Sequence, residues 1–151
     1  MNTAPGAWVV IHCPATRSFL FGKRSGQVNK PHLWNLFGGH VDESENPEQG
    51  ALRELKEETG LEPAIEGIIH PGQTRVLDVG YVSALREMHF YLLLTETELE
   101  PTLNHEHSSY RWFKPNTLPH DVNRPTAIAL NIGVIEKSLL IAEELADQSP
   151  T

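Results

Sequence analysis

The sequence predicts a single domain of the α/β (α+β) class that combines several short strands with two helices. Short apolar runs rich in Val, Ile, Leu and Phe are separated by turn residues, which is typical of buried strands. One helix carries its own start and stop signals between Asn46 and Gly60. The chain of 151 residues has the usual size of one domain and shows no internal repeat, low-complexity tract or interdomain linker.

Three strands are predicted before the helix. Ala7 to His12 and Ser18 to Gly22 are short apolar runs joined through Cys13 to Thr16. Leu33 to Phe37 is a third run, and we expect it to lead into a glycine loop at Gly38-Gly39.

The predicted helix runs from about Pro47 to about Thr59. Asn46 is a favoured N-cap, Pro47 suits the first helical position, and Gln49 stands where a capping box places its reciprocal residue. Gly60 can adopt the left-handed conformation that ends a helix.

Four later segments have the composition of strands. They are Ile65 to His70, Thr74 to Val79, Glu87 to Thr95 and Ser109 to Phe113. Turn signals stand at Pro71-Gly72 and at Asp78-Val79-Gly80. Ala127 to Ala146 is predicted to be one amphipathic helix whose core-facing residues are Ile128, Ile132, Ile135, Leu139 and Leu145.

Charge and cysteine content exclude some classes of protein. The formal net charge is −8, from 12 Lys and Arg against 20 Asp and Glu residues, so we expect no nonspecific nucleic-acid binding and no membrane binding. The single cysteine, Cys13, excludes an internal disulfide framework and favours a cytoplasmic location. No apolar run approaches ~18 residues, and Met1 to Gly6 lacks the features of a signal peptide.

Three acids lie on one face of the predicted helix. Glu54, Glu57 and Glu58 are related as i, i+3 and i+4, whereas the apolar face holds Leu52, Leu55 and Thr59. Like charges at this spacing repel, and the negative end of the helix dipole disfavours them further. A solvated acidic face is one explanation of this pattern.

A bound divalent cation is the other explanation. Mg²⁺ and Mn²⁺ take oxygen ligands, commonly carboxylates together with phosphate and water, and would relieve the repulsion. Gly50 lies one turn before Glu54 on the same face, where we expect it to leave room for a bulky anion. The chain has no Gly-x-Ser-x-Gly elbow that would supply an alternative nucleophile.

Gly39 to Leu61 carry a specific motif. It reads Gly, five residues, Glu, seven residues, Arg-Glu, an apolar residue, any residue, Glu-Glu, any residue, Gly and an apolar residue. This pattern resembles the signature of the Nudix hydrolases at every specified position. The flanking sequence is similar to the family as well, which makes one Nudix domain of residues 1–151.

The resemblance implies an α/β/α sandwich around a mixed central sheet. It also implies a reaction in which water attacks a phosphorus of a nucleoside diphosphate linked to another group. The metal ligands implied are Glu54, Glu57, Glu58 and the carbonyl of Gly38. Arg53 and Glu45 resemble the supporting ion pair of the family, and Glu54 stands where some members place the general base.

Glu106 is the next candidate outside the motif. Many Nudix proteins place a Glu a few residues before an aromatic strand such as Ser109 to Phe113, so Glu106 is either an additional ligand or base, or an ordinary exposed loop acid. His105 and His107 flank it, and solvated histidines explain them better than a metal cluster because Mg²⁺ prefers oxygen.

Substrate contacts are predicted at Arg24, Trp34, Gly39 and His40. Arg24, like Lys30 and Arg86, suits phosphate, although most surface cations bind none. Trp34 is either a stacking platform for a nucleobase or a core residue, and His40 is either a phosphate contact and proton donor or a structural loop residue. Trp8 and Trp112 are assigned to packing.

The predicted function is a Mg²⁺-dependent pyrophosphohydrolase, with Mn²⁺ as a substitute, acting on a nucleoside triphosphate, nucleotide sugar or similar molecule. The alternative is a noncatalytic nucleotide-sensing module, although such relatives usually lose motif carboxylates. A prenyl diphosphate isomerase fits poorly with a short chain and a complete motif. The partner is a small nucleotide derivative, and a homodimer is compatible with the sequence. Family markers for particular substrates are absent: Pro71 is too early and Tyr81 slightly late.

Overall fold

The computed structural model describes residues 4–63, 76–83 and 86–148. Its helices and strands follow in chain order. They are β1 Gly6–Cys13, β2 Ser18–Arg24, β3 Trp34–Asn35, β4 Phe37–His40, α1 Pro47–Thr59, β5 Leu77–Ser83, β6 Glu87–Leu94, β7 His107–Phe113, a 3-10 helix Pro115–Thr117, α2 Arg124–Asn131 and α3 Val134–Gln148.

The described strands form one mixed sheet of seven strands. Its main order is β3-β2-β1-β6-β5, while β4 pairs with β1 and β7 pairs with β2. β1 runs parallel to β6, and the other pairs of strands are antiparallel. The predicted α+β fold class with a mixed central sheet is therefore confirmed.

Helices cover both faces of this sheet. Alternating residues of β1 divide between two apolar cores, because successive side chains of a strand point to opposite faces. One core packs Val9 and Ile11 of β1 with Leu55 of α1. The other packs Trp8 and Val10 with residues of α2 and α3. The fold is a three-layer α/β/α sandwich, as the resemblance implied.

Helix α1 matches the prediction at both ends. The Asn46 side chain accepts a hydrogen bond from the backbone N–H of Gln49, and the Gln49 side chain accepts one from Asn46, which completes the capping box. Gly60 adopts a left-handed φ of 77° and ends the helix at Thr59.

The prediction of one continuous helix from Ala127 to Ala146 was wrong. The chain forms two helices instead, with Asn123 as the N-cap of α2 and a break at Gly133, whose φ is 87°. A left-handed glycine cannot continue an α-helix, and the break leaves Ile132 41% exposed rather than in the core.

No single described helix is long and apolar enough to span a membrane. Only α2 and α3 together, across a 57° bend, reach that length and composition.

Two predicted turns are strand segments in the structure. Gly38 and Gly39 lie within β4 and pair with Trp8 and Ala7 of β1, so the expected glycine loop is a strand. Asp78 to Gly80 is a β-bulge within β5, where the pairing with β6 shifts register.

Three further predicted strands and one predicted turn either lie outside the described residues or have different bounds in the structure. The strand Ile65 to His70 and the turn Pro71-Gly72 lie outside the described residues. Of Thr74 to Val79, the described part contributes to β5, which starts at Leu77. The predicted third strand, Leu33 to Phe37, is divided between β3 and β4.

Candidate active site

Three carboxylates converge where α1 packs beside β4. Oxygens of Glu54, Glu58 and Glu106 all lie within 4.8 Å of one another. Glu54 and Glu58 stand one turn apart on α1, and Glu106 comes from the loop immediately before β7. The fold therefore places an acid from the distant loop against the helical pair.

Glu58 is the most deeply buried of the three acids. Glu58 is only 2% exposed, and its Oε1 accepts a hydrogen bond of 2.8 Å from the backbone N–H of Gly38. Burial raises the pKa of Glu58 well above its ordinary value, and repulsion from Glu54 and Glu106 raises it further. A cation bound here would reverse this effect by favouring the carboxylate.

Glu54 lies beside the glycine pair of β4. A Cβ atom at Gly39 would stand 3.0 Å from Cδ of Glu54, so the missing side chain makes room for this carboxylate. Burial raises the pKa of Glu54, although the hydrogen bond from Arg53 acts in the opposite direction. The room that Glu54 needs therefore explains why residue 39 is a glycine, without a contact between Gly39 and substrate.

Arg53 connects helix α1 to the segment from His40 to Glu45 that precedes the helix. Its guanidinium donates to Glu45 Oε1 at 2.8 Å, to the His40 carbonyl at 2.9 Å, and to Glu54 and Glu57 at 3.1 Å each. Glu45 is the main cause of a raised pKa at Arg53, and Arg53 in turn lowers the pKa of Glu45. The guanidinium stays charged and is bonded to Glu45, Glu54 and Glu57. The supporting role that the resemblance implies for Arg53 and Glu45 stays a prediction.

Glu57 occupies a different position from the other two helical acids. Its side chain is 51% exposed and is bound by Arg53, whereas the close cluster among the described residues consists of Glu54, Glu58 and Glu106. The structure therefore brings Glu57 to the edge of the site.

Gly50 does not leave room for an anion. A Cβ atom there would stand 3.0 Å from Oε1 of Glu45 and 3.1 Å from Cγ2 of Val41, so residues of the protein already occupy this space. Gly50 allows the loop that carries Glu45 to approach α1 closely. The expectation about Gly50 was wrong for this reason.

His107 is buried, contrary to the expectation of a solvated histidine. Its ring packs against Phe37, and its Nε2 lies 3.1 Å from Oδ1 of Asn35. Burial lowers the pKa of His107 to about 4, and the nearby charge of Arg24 contributes in the same direction. The ring is therefore neutral at physiological pH, while His105 is exposed.

Trp34 lies away from the acidic cluster. Its ring meets Phe113 edge to face at 5.1 Å and packs in the core under α2 and α3, on the opposite face of the sheet from α1. The position of Trp34 therefore agrees with the alternative that it is a core residue. Trp8 stacks on Phe90 in the same core, as predicted.

The other predicted cations have varied surroundings. The charge of Arg24 makes a minor contribution that lowers the pKa of Glu58, and its Nε donates to the carbonyl of Asn29. Arg86 lies over the ring of Trp8 at 5.2 Å and donates to the carbonyl of Ala4, which explains it as a packing residue. His40 is exposed, and Lys30 adopts a left-handed φ of 54°.

Sequence reasoning missed Asn104, which binds Glu106 directly. An Asn two residues before a candidate ligand such as Glu106 is the signal of an Asx turn and could have drawn attention to it. The donor atoms assembled at the cluster are carboxylate oxygens, which fit a hard divalent cation such as Mg²⁺ or Mn²⁺.

Comparison with known proteins adds a family relationship. The family model described as the NUDIX domain matches residues 2–130. The rat bis(5'-nucleosyl)-tetraphosphatase [asymmetrical] is 39% identical over 84 residues, which are 54% of this chain and 55% of the rat protein. The CTP pyrophosphohydrolase of Escherichia coli (strain K12) is 30% identical over 97 residues, which are 64% of this chain and 66% of that protein.

These matches cover only part of each relative, little more than half in the case of the rat protein. Among solved structures, a MutT NUDIX hydrolase from Burkholderia pseudomallei shares the fold with a TM-score of 0.63 at 24% identity, over 87% of this chain and 98% of that chain.

Proposed function

Because this chain belongs to the Nudix hydrolase family, we propose that it is a divalent-cation-dependent pyrophosphohydrolase of nucleotide derivatives. The observation that carries the proposal is the convergence of Glu54, Glu58 and Glu106 within 4.8 Å, beside a braced arginine. Three acids packed so closely, one of them buried, are unfavourable without a cation.

Mg²⁺ is the proposed cofactor, with Mn²⁺ as a substitute, and Glu54, Glu58 and Glu106 are its proposed ligands. Glu57 and the carbonyl of Gly38 remain proposed ligands at the edge of this set. A bound divalent cation neutralises phosphate charge and lowers the pKa of an attacking water.

The side chains of the protein have separate roles in this proposal. Glu54, which accepts a hydrogen bond from Arg53, is the proposed acceptor of a proton from the attacking water. Arg53 and Glu45 hold Glu54 in position, and Arg24 offers a guanidinium to the substrate phosphates.

The proposed substrate is a nucleoside diphosphate linked to another group, such as a nucleoside triphosphate, a nucleotide sugar or a dinucleoside polyphosphate. The names of the rat and Escherichia coli relatives, a tetraphosphatase and a CTP pyrophosphohydrolase, support this class. We further propose that residues 1–151 act as one domain on this small partner, without nucleic acid. A cytoplasmic location is supported by the single, free and buried Cys13.

A hydrolysis screen tests the proposal. The purified protein is incubated with Mg²⁺ and, separately, with EDTA across nucleoside triphosphates, nucleotide sugars, ADP-ribose and dinucleoside polyphosphates, and the products are separated by chromatography. We expect Mg²⁺-dependent release of a nucleoside monophosphate from one substrate class.

Substitutions assign the activity to the site. Glu58→Gln and Glu54→Gln should each lower kcat by at least about 100-fold, since losses of roughly 10- to 100-fold follow even from changes of residues that only support a metal ligand. Glu57→Gln tests whether the exposed acid is a ligand as well. Glu144→Gln, an exposed change on α3, is the matched control and should leave turnover unchanged.

Two outcomes would contradict the proposal. Unchanged turnover in both Glu54→Gln and Glu58→Gln would remove the cluster from the mechanism. Tight nucleotide binding with no product after long incubation would favour the noncatalytic sensing module instead.

A further inference from the structure

We infer that Asn104 is a positioning residue that orients the Glu106 carboxylate toward Glu54 and Glu58. The inference rests on the proposed function of the acidic cluster and adds a residue that lies outside the family motif. Asn104 contacts Glu106 twice. Its Nδ2 donates to Oε2 of Glu106 at 3.3 Å, and its Oδ1 accepts the backbone N–H of Glu106 at 3.0 Å.

The two hydrogen bonds control different parts of Glu106. The bond to the backbone N–H forms an Asx turn and sets where the side chain leaves the main chain. The bond to Oε2 restricts rotation of the carboxylate, because one of its oxygens is held by the amide. Together they select one orientation of an otherwise flexible side chain.

The backbone around Glu106 has independent anchors at the end of β2. The backbone N–H of Ser25 donates to the Glu106 carbonyl at 2.9 Å, and the Ser25 hydroxyl donates to the His105 carbonyl at 2.9 Å. His107 is buried on the other side and lies against Asn35. These contacts do not involve the Asn104 side chain, so its loss should release the carboxylate while the loop stays in place.

A neutral amide is well suited to this role. Arg or Lys beside Glu106 would compete with a cation for the carboxylate, whereas an amide N–H donates a hydrogen bond and leaves the negative charge available. An acid at this position would add a further charge to a cluster that already repels.

Two variants separate the two hydrogen bonds. Asn104→Ala removes both of them. Asn104→Ser keeps an oxygen that can accept the backbone N–H of Glu106 and adds no charge, but it lacks the amide that donates to Oε2. Asn116→Ala, an exposed asparagine of the 3-10 helix, is the matched control.

The first readout is binding of Mn²⁺ alone, measured by isothermal titration calorimetry at fixed pH. We expect Asn104→Ala and Asn104→Ser to weaken Mn²⁺ binding by roughly 10-fold, within the range for residues that support a ligand. Asn116→Ala should bind like the parent protein. Parent-like binding by Asn104→Ser would show that donation from the amide to Oε2 is not needed and would overturn the inference.

A double-mutant cycle with Glu106→Gln supplies the second readout. If Asn104 acts through Glu106, Asn104→Ala should weaken Mn²⁺ binding by less than about 2-fold when residue 106 is already Gln. An equal loss in both backgrounds, or a loss that follows a lowered Tm, would mean that Asn104 only stabilises the loop.

Failure of the two proposals can be told apart. If the parent protein binds Mn²⁺ but hydrolyses none of the screened nucleotides, the proposed reaction fails while the Mn²⁺ cycle still decides the role of Asn104. If the parent protein binds no Mn²⁺, the acidic cluster holds no cation and both proposals fail.

Discussion

Glu58 shows how a single residue can favour ligand binding over stability. Its carboxylate is buried, accepts one backbone hydrogen bond and faces two other acids. Because its pKa is raised, the folded protein binds a proton more tightly than the unfolded chain does. Between the ordinary pKa and the raised one, the free energy of unfolding therefore falls as pH rises.

Glu58→Gln should stabilise the protein at neutral pH when EDTA removes divalent cations. The amide keeps an acceptor for the Gly38 N–H but removes a buried charge, so we expect Tm to rise by about 2–4 °C, the change that about 1 kcal/mol produces at this size. Thermal melts at pH 7.5 and pH 4 measure the effect, which should shrink at the lower pH as Glu58 becomes protonated.

Glu144→Gln is the control for a general effect of lost charge and should leave Tm nearly unchanged. A lower Tm for Glu58→Gln at pH 7.5 without cations would show that the carboxylate is not destabilising. Addition of Mg²⁺ should raise Tm of the parent protein more than that of Glu58→Gln, since ligand binding to the folded state stabilises it.

Single residues also show which site features the sequence can reveal. Helical spacing predicts that Glu54 and Glu58 share a face, because the relation depends only on local geometry. The face on which Trp34 lies depends on the register between β2 and β3, which the sequence does not contain in readable form. The burial of His107 likewise depends on Asn35 and Phe37, which come from other strands.

At the scale of elements, α1 was predictable because its signals are local. The capping box and the terminal glycine set its ends without help from the rest of the fold. β4 was not predictable in the same way, because two glycines in sequence indicate a turn. Gly38 lets β4 approach β1 closely, which depends on a partner strand distant in the chain, whereas Gly39 makes room for the Glu54 carboxylate.

Gly38→Ala should destabilise the protein strongly. A Cβ atom at this position would stand 2.2 Å from the carbonyl oxygen of Ala7, and the backbone has a φ of 151°. Overpacking and an unfavourable φ together should lower the free energy of unfolding by about 3 kcal/mol, measured by urea denaturation.

Gly26→Ala is the matched control for this change. A Cβ atom at Gly26 would lie 3.4 Å from the His32 ring, an ordinary contact, so the free energy of unfolding should change by less than about 0.5 kcal/mol. Equal effects of the two substitutions would mean that the close approach of β4 and β1 is not what Gly38 provides.

At the scale of the whole molecule, β1 connects the two halves of the fold. It lies at the centre of the sheet and contributes side chains to both cores. Strands β1, β2 and β6 were predictable from composition and periodicity. The bulge in β5 was not, since it depends on the pairing with β6, and the break between α2 and α3 depends on a left-handed φ at Gly133 that the apolar periodicity does not show.

We predict that the two cores unfold together. Trp8 reports on the core under α2 and α3, and Trp112 packs against the core under α1. Trp112→Phe keeps Trp8 and Trp34 in the first core, and the double variant Trp8→Phe/Trp34→Phe keeps only Trp112 against the second. Urea unfolding of each variant, followed by tryptophan fluorescence, should give the midpoint that far-UV circular dichroism gives for the same variant. Separate midpoints for fluorescence and circular dichroism would indicate that the two cores are independent.

The position of Glu106 has a further consequence for the kinetics of folding. We expect Glu54 and Glu58 to meet when α1 forms, and Glu106 to join them only when β7 pairs with β2. Contacts between distant segments form late, and a ligand that needs them adds little to the folding transition state. A cation held by all three acids would therefore slow unfolding and leave the folding rate nearly unchanged, so that it prolongs the lifetime of the native protein.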